Sequence, residues 1–291
     1  MATLSGSLRL QYFFDVSEEI ALEDLRTLLQ LAKPGREPEF RRQAPLYVRF
    51  ERPPLEEHIP ALKLASGELF PARMRYFDYG VIAVEMDLPF KDTGWGDLIA
   101  MAAKWMAAAD LESAAEATVA RQLERIRPAL RKPSGRMLSE DYTVVELRNA
   151  LGDDGMPLDS ALLIERYGAQ IAQLIRGESG ELSAPERHEV LASSMSYAPS
   201  DLLVVGWTCA LVYDTQPESG QVMVRLLEYA NTQLLEFRHY DDVLTRVLAD
   251  VYLLLERHPG FVRRWRMARE AGNLNTYRLE VMELTERADN A

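Results

Sequence analysis

The chain has 291 residues, of which 47% are apolar and 27% are charged, and this composition excludes a disordered or fibrous protein. The formal net charge of -12 argues against bulk binding to nucleic acid or to anionic membranes, although a local basic patch remains compatible with it. The single cysteine, Cys209, excludes an internal disulfide and a multi-cysteine zinc site.

No segment is long and apolar enough to predict a transmembrane helix. The longest uncharged stretch, residues 202–213, falls well short of the roughly 20 residues that a spanning helix needs. The N-terminus has no basic residue before its first apolar run, which argues against a signal peptide. We expect a cytoplasmic chain, associated with a membrane only if the natural chain continues past Ala291.

The first 151 residues predict an α+β domain with a mixed or antiparallel sheet. Residues 8–16 are typical of a buried strand, and Ser17 can cap a helix that ends at Pro34. A second strand is predicted over residues 46–50. Alternating apolar residues on both sides of Gly80 predict a β-hairpin. Helices are expected over 97–109 and 111–127, and a strand over 142–147, before the boundary signal Gly152-Asp-Asp-Gly155.

The remaining residues, 157–291, predict a helix-rich domain with one central strand. Asp159 and Ser183 are typical helix N-caps. Residues 202–213 are predicted to form a single strand that buries Trp207 and Cys209. The ends of such a strand lie about 40 Å apart, so Asp201 and Asp214, which flank it, are not expected to pair.

A long antiparallel helical hairpin is predicted over about 217–291. Apolar residues recur at steps of three and four from Met223 to Leu255, as in a heptad seam, and Asp241 is its one charged position. Residues His258-Pro-Gly260 break this helix, and a second periodic stretch runs from Leu274 to Ala288. The alternative is that two helices pack separately on a globular core.

The sequence contains no recognisable catalytic, cofactor-binding or metal-binding motif. Phosphate loops, dinucleotide fingerprints and zinc-protease motifs are absent, and the four histidines lack metal-ligand spacing. His239, which lies near Asp241, is interpreted as a solvated helix residue.

Two basic clusters are candidate sites for an anionic partner. The first contains Arg263, Arg264, Trp265, Arg266 and Arg269, and the second contains Arg121, Arg125, Arg127 and Arg131. In both cases the alternative is a solvated helix end.

Several segments together resemble the "required for meiotic nuclear division" family. They are Met74–Ile82, Ser196–Asp214, Leu226–Arg238 and the pair of helices that the last segment begins, so that the likeness covers about residues 70–291. The resemblance implies a domain without established enzymatic activity. Mitochondrial members are inner-membrane proteins that support organellar translation, and members typically end in hydrophobic anchoring helices. This chain stops before such a segment and has no presequence, so the resemblance suggests a bacterial member.

Three functions remain open at this point. The favoured hypothesis is a non-enzymatic scaffold or assembly factor, acting through the hairpin and homo-oligomerisation, at the inner face of a membrane if the chain is anchored. The second is an RNA- or ribosome-associated protein that uses the arginine clusters, with anionic lipid as another candidate partner and DNA not expected. The third is a hydrolase with convergent carboxylates in a cleft, which makes an enzyme the less favoured alternative.

Overall fold

The chain folds around one large β-sheet. The computed structural model describes residues 2–31, 53–64 and 66–257, together with Leu279 and Met282. The strands in these ranges are β1 (Thr3–Ile20), β2 (Leu55–Lys63), β3 (Leu69–Tyr76), β4 (Val81–Thr93), β5 (Leu130–Leu151), β6 (Ser194–Met195), β7 (Asp201–Val205) and β8 (Cys209–Asp214). The helices are α1 (Leu22–Leu29), α2 (Trp95–Met106), α3 (Ala109–Ile126), α4 (Ser160–Arg176), α5 (Ala184–Ala192) and α6 (Pro217–Arg257).

The sheet is mixed, with the strand order β2-β3-β4-β1-β5-β8-β7-β6. Neighbouring strands run antiparallel except for β5 and β8, which are parallel. The long strands β1 and β5 pair along most of their lengths in the middle of the sheet. Because β8 hydrogen-bonds to β5, both halves of the sequence contribute to the same sheet.

Helices cover both faces of the sheet and create two apolar cores. The larger core joins α1 to α5 to one face, through residues such as Leu8, Leu10, Tyr12 and Phe14 of β1. On the opposite face, the smaller core joins α6 to the sheet, and its members are Phe13, Phe77, Val81, Ala83, Tyr142, Val144, Ala210, Val212, Val224, Leu227 and Leu235. β1 is therefore buried on both sides, and successive side chains enter different cores.

Several local predictions are confirmed. Asp159 caps α4 by accepting a hydrogen bond from the Leu162 backbone N–H at 2.7 Å, and Ser183 caps α5 in the same way. The predicted hairpin is formed by β3 and β4. At its turn Gly80 has a φ of 94°, and a Cβ there would collide with the carbonyl oxygen of Ser17. In contrast, Ser17 does not cap a helix, because β1 continues to Ile20 and α1 begins at Leu22. The strand predicted over residues 46–50 lies outside the described residues.

The prediction of a separate helix-rich half ending in a helical hairpin is wrong. The structure has instead an α+β fold in which an eight-stranded mixed sheet includes β6, β7 and β8. The first predicted arm of the hairpin exists as α6, which has 41 residues. The second arm lies outside the described residues, apart from Leu279 and Met282, so no hairpin is shown.

The interpretation of residues 202–213 as one strand is also wrong. This segment folds back at Gly206 to form the antiparallel pair β7 and β8, and Asp201 is the direct partner of Asp214 in that pairing. Trp207 lies at the turn and is 76% exposed, whereas the sequence predicted that it is buried. Cys209 is fully buried as predicted, since it begins β8 in the middle of the sheet.

The face of α6 that meets the sheet coincides only in part with the predicted seam. The seam residue Leu227 is buried against the sheet, together with Val224, Thr232 and Leu235, whereas the seam residue Leu234 is 37% exposed. Asp241, the charged position in the predicted seam, is exposed and its charge is therefore not buried between packed helices. No helix in the described ranges combines the length and the apolarity that crossing a membrane requires.

Candidate anion-binding site

A stripe of polar side chains crosses the face of the sheet beneath the start of α6. On β1, Ser7, Arg9 and Gln11 alternate with leucines that enter the larger core. Gln11 lies opposite Glu85 of β4, and Ser7 lies opposite Glu146 of β5. The pleat therefore places acids and bases from neighbouring strands side by side on one face.

Glu85 is the central acceptor of this stripe and is only 2% exposed. Its carboxylate accepts hydrogen bonds from Arg9 Nη1 at 2.9 Å and from Gln11 Nε2 at 3.0 Å. It also accepts from Arg75 Nη2 at 3.0 Å and from both Nε and Nη2 of Arg73. Burial alone would raise the pKa of Glu85, but the charges of the three arginines outweigh burial and lower it to about 2.

Glu146 holds the other side of Arg9. One carboxylate oxygen accepts from Arg9 Nη2 at 2.6 Å and from Arg148 Nη2 at 3.0 Å. These hydrogen bonds and charges lower the pKa of Glu146, although burial acts in the opposite direction. A Cβ on Gly6 would collide with the Glu146 carbonyl oxygen, so glycine is needed where the two strands approach at the β1 irregularity.

Helix α6 contributes a third buried acid, Glu228, which forms an ion pair with Arg75 Nη1. Burial raises the pKa of Glu228 to about 7, because Arg75 compensates only part of the desolvation. Arg75 also contacts Glu56 at the edge of the stripe, with 3.2 Å between Nε and the carboxylate. The pair between Arg75 and Glu228 thus ties α6 to β3 across the stripe.

A cleft of about 210 Å³ opens above this stripe, and its lining is strongly basic. The lining residues are Arg9, Arg73, Arg75, Asp87, Arg148, Gln221, Val224 and Arg225. Arg225 is exposed and forms no hydrogen bond or ion pair with the described part of the chain. Arg148 is 43% exposed, and its Nη1 forms no hydrogen bond within the same ranges. The cleft therefore reaches solvent and offers guanidinium donors to an anion.

The sequence-predicted basic clusters do not form this cleft. Arg263, Arg264, Trp265, Arg266 and Arg269 lie outside the described residues. The other cluster is placed at the end of α3 and the start of β5, where Arg131 forms an ion pair with Asp24 at 2.7 Å. Arg125 lies 3.6 Å from Glu57, and Arg121 donates to Thr118. Arg127 is exposed at the turn between α3 and β5.

His239 is not the solvated residue that the sequence predicts. Its Nδ1 contacts the carboxylate of the buried Asp15 of β1, a pair that is ionic when His239 is protonated, and Asp15 also accepts a hydrogen bond from Ser134 at 3.2 Å. The hydrogen bond to Asp15 raises the pKa of His239, while burial opposes the shift. α6 is therefore fixed to the sheet by charged groups at two separate points along its length.

Sequence reasoning missed the residues of the cleft, although a signal for them exists. Charged residues stand two positions apart in three different strands: Arg73 and Arg75, Glu85 and Asp87, and Glu146 and Arg148. This spacing places each pair on one face of its strand. The usual expectation is that such a face is solvated, and only the placement of α6 turns it into a buried site.

Comparison with known proteins identifies one family. The family model described as "Uncharacterized protein MJ0711, N-terminal domain" matches residues 5–219. The chain belongs to this family. The match covers β1 from residue 5 onwards and the whole of the other seven strands, so it includes every cleft residue that the sheet contributes. No curated protein and no solved structure matches the chain. The resemblance to the "required for meiotic nuclear division" family is not tested by this match and stays a prediction.

Proposed function

We propose that this chain is a non-enzymatic binding protein whose arginine-lined cleft takes a small anionic ligand. The observation that carries the proposal is the composition of the cleft, where five arginines from three strands and α6 meet a single carboxylate, Asp87. Guanidinium groups are the preferred donors to carboxylate and phosphate oxygens. A ligand would be held between the sheet and the start of α6.

The buried glutamates support a role in positioning the arginines and not in hydrolysis. The hydrolase hypothesis required convergent acids in a cleft, and Glu85, Glu146 and Glu228 do converge. Each of them is bound to at least one arginine. The lowered pKa values of Glu85 and Glu146 make these two poor general acids, whereas Glu228, whose pKa is raised to about 7, is buried beside Arg75 and does not line the cleft. They fix the guanidinium groups in place, as a preorganised binding site requires.

Thermal denaturation with added anions tests this proposal. Phosphate or sulfate should raise the melting temperature of the whole chain at constant ionic strength, and a ligand at 100 times its Kd would add about 2.7 kcal/mol of stability. The double variant Arg148→Gln/Arg225→Gln should lose this stabilisation. Because both side chains reach solvent, the variant should still fold. The matched control is Arg136→Gln/Arg166→Gln, two exposed arginines outside the cleft lining. An equal response from all three proteins would refute the proposal.

A second candidate function is assembly through α6, which would make the chain a scaffold. At about 1.5 Å per residue, this helix is about 60 Å long. Leu234 and Leu248 are 37% and 48% exposed on it, as expected for a helix that packs against another chain. The proposed partner is a second copy or another protein, and the proposed location is the cytoplasm.

Sedimentation over a range of protein concentrations tests the assembly function. The wild-type chain should associate, and Leu234→Glu/Leu248→Glu should shift it towards the monomer without changing its secondary structure. A wild-type chain that stays monomeric at every concentration would contradict a homo-oligomer. Anion binding and assembly are independent, because the cleft residues and these leucines lie on different parts of α6.

A further inference from the structure

We propose that the anion taken by the cleft is a doubly charged phosphate head group, either a phosphomonoester or inorganic phosphate. This inference rests on the proposed anion-binding function and names the ligand class of the same site. The inference depends on three properties of the cleft: its charge, the directions in which the hydrogen-bond donors point, and its volume.

The charge of the lining favours a dianion over a monoanion. Five arginines and one aspartate line the cleft, so the side chains at its wall are mainly basic. Glu56, Glu85, Glu146 and Glu228 offset most of this charge from the base and edge of the cleft, where they pair with Arg9, Arg73, Arg75 and Arg148. Arg225 has no such acid as a hydrogen-bond partner within the described ranges, and Arg148 keeps Nη1 without one. Arg225 thus offers a guanidinium group without an acid partner in this part of the chain, and Arg148, which shares Glu146 with Arg9, offers a further N–H donor, so that a ligand with two negative charges can contact both.

The donors surround the cleft from two sides. Arg9, Arg73 and Arg75 reach it from the sheet, and their guanidinium groups converge because each of them binds Glu85. Arg225 and Gln221 reach it from α6 above the sheet. A planar carboxylate presents its acceptors in one plane, whereas the oxygens of a phosphate point in several directions. Donors above and below the ligand match the tetrahedral group better.

The volume of the cleft is sufficient for a phosphate group. A cleft of about 210 Å³ holds about seven water molecules at about 30 Å³ each, so a phosphate group with a few further atoms fits this space. If the ligand is an ester, its remaining part must leave the cleft past the solvent-exposed Arg148 and Arg225.

Isothermal titration calorimetry of the whole chain tests the ligand class. At pH 7.5 and fixed ionic strength, the probes are methyl phosphate and inorganic phosphate, which are mainly dianions, dimethyl phosphate, which is a monoanion, and malonate, which is a dianion with two planar carboxylate groups. We expect one of the two phosphate dianions to bind at least 10-fold more tightly than dimethyl phosphate and malonate. Arg148→Gln/Arg225→Gln should weaken that binding at least 10-fold, and Arg136→Gln/Arg166→Gln should not change it.

Each outcome separates the ligand class from the underlying function. Tighter binding of methyl phosphate identifies an ester head group, and tighter binding of inorganic phosphate identifies the free ion; both support the inference. Malonate or dimethyl phosphate binding as tightly as the phosphate dianions would overturn the ligand class while leaving anion binding intact. Absence of binding by every probe would overturn the proposed function as well. A loss of affinity that is the same in both double variants would show that the cleft is not the site.

Discussion

Glu85→Gln is the substitution that tests the buried ionic cluster most directly. The change keeps the shape of the side chain but removes the charge that three arginines share. Arg9, Arg73 and Arg75 would then surround a neutral amide whose NH₂ group cannot accept their hydrogen bonds. Arg9 and Arg75 are themselves buried, so their charges cannot turn to water.

The expected cost follows from the geometry of the cluster. Removing one partner of a buried ion pair destabilises a protein by about 3–5 kcal/mol, because it leaves an uncompensated buried charge. Glu146 and Glu228 still compensate Arg9 and Arg75 in the variant, which keeps the loss within this range. The partly exposed Arg73 can turn to solvent. We therefore expect Glu85→Gln to lower the free energy of unfolding by about 3–5 kcal/mol.

Urea denaturation at pH 7 provides the measurement. The matched control is Glu189→Gln, which removes the acid from a solvent-exposed ion pair with Arg176 and should cost at most about 1 kcal/mol. A loss below 1 kcal/mol for Glu85→Gln, similar to that of the control, would refute the reasoning, because it would mean that water already solvates the stripe.

Further predictions concern single residues. Trp207→Ala should change stability by less than about 0.5 kcal/mol in thermal denaturation, since the side chain is largely exposed at the turn between β7 and β8. Cys209 should not react with Ellman's reagent at pH 8 until the protein unfolds, because burial raises its pKa to about 12. Gly80→Ala should lower the melting temperature, because φ is positive and Ser17 fills the space. As pH rises from 4.5 to 7, the unfolded chain releases the Glu228 proton that the folded chain retains, so the contribution of Glu228 to stability should fall by up to about 3 kcal/mol; Glu228→Gln should remove this contribution from the pH profile of stability.

Local structure was predictable from the sequence where residues close together in the chain determine it. The caps at Asp159 and Ser183 and the hairpin at Gly80 depend on hydrogen bonds or backbone angles within a few residues. The parallel pairing of β5 with β8 was not predictable in this way, because it joins residues such as Thr143 and Cys209 across the intervening helices. Without that pairing, the second half of the sequence looks helical.

The turn between β7 and β8 shows a different limit. Residues 202–213 contain no proline and only one glycine, so the apolar run favours a single strand. Gly206 nevertheless lies at the turn, where its backbone N–H donates to the Cys209 carbonyl oxygen at 2.9 Å. The fold-back exposes Trp207 and brings Asp201 beside Asp214, the reverse of both expectations.

The polar stripe also explains why α6 has a defined position on the sheet. Apolar contacts alone can tolerate a helix that slides, whereas ion pairs fix a register because displaced charges lose their partners. Glu228 pairs with Arg75 of β3, and His239 pairs with Asp15 of β1, eleven residues further along the helix. A shift of one helical turn, about 5.4 Å, would break both pairs and leave buried charges uncompensated. We infer that these pairs select one register of α6, and that this register sets the position of Arg225 over the cleft.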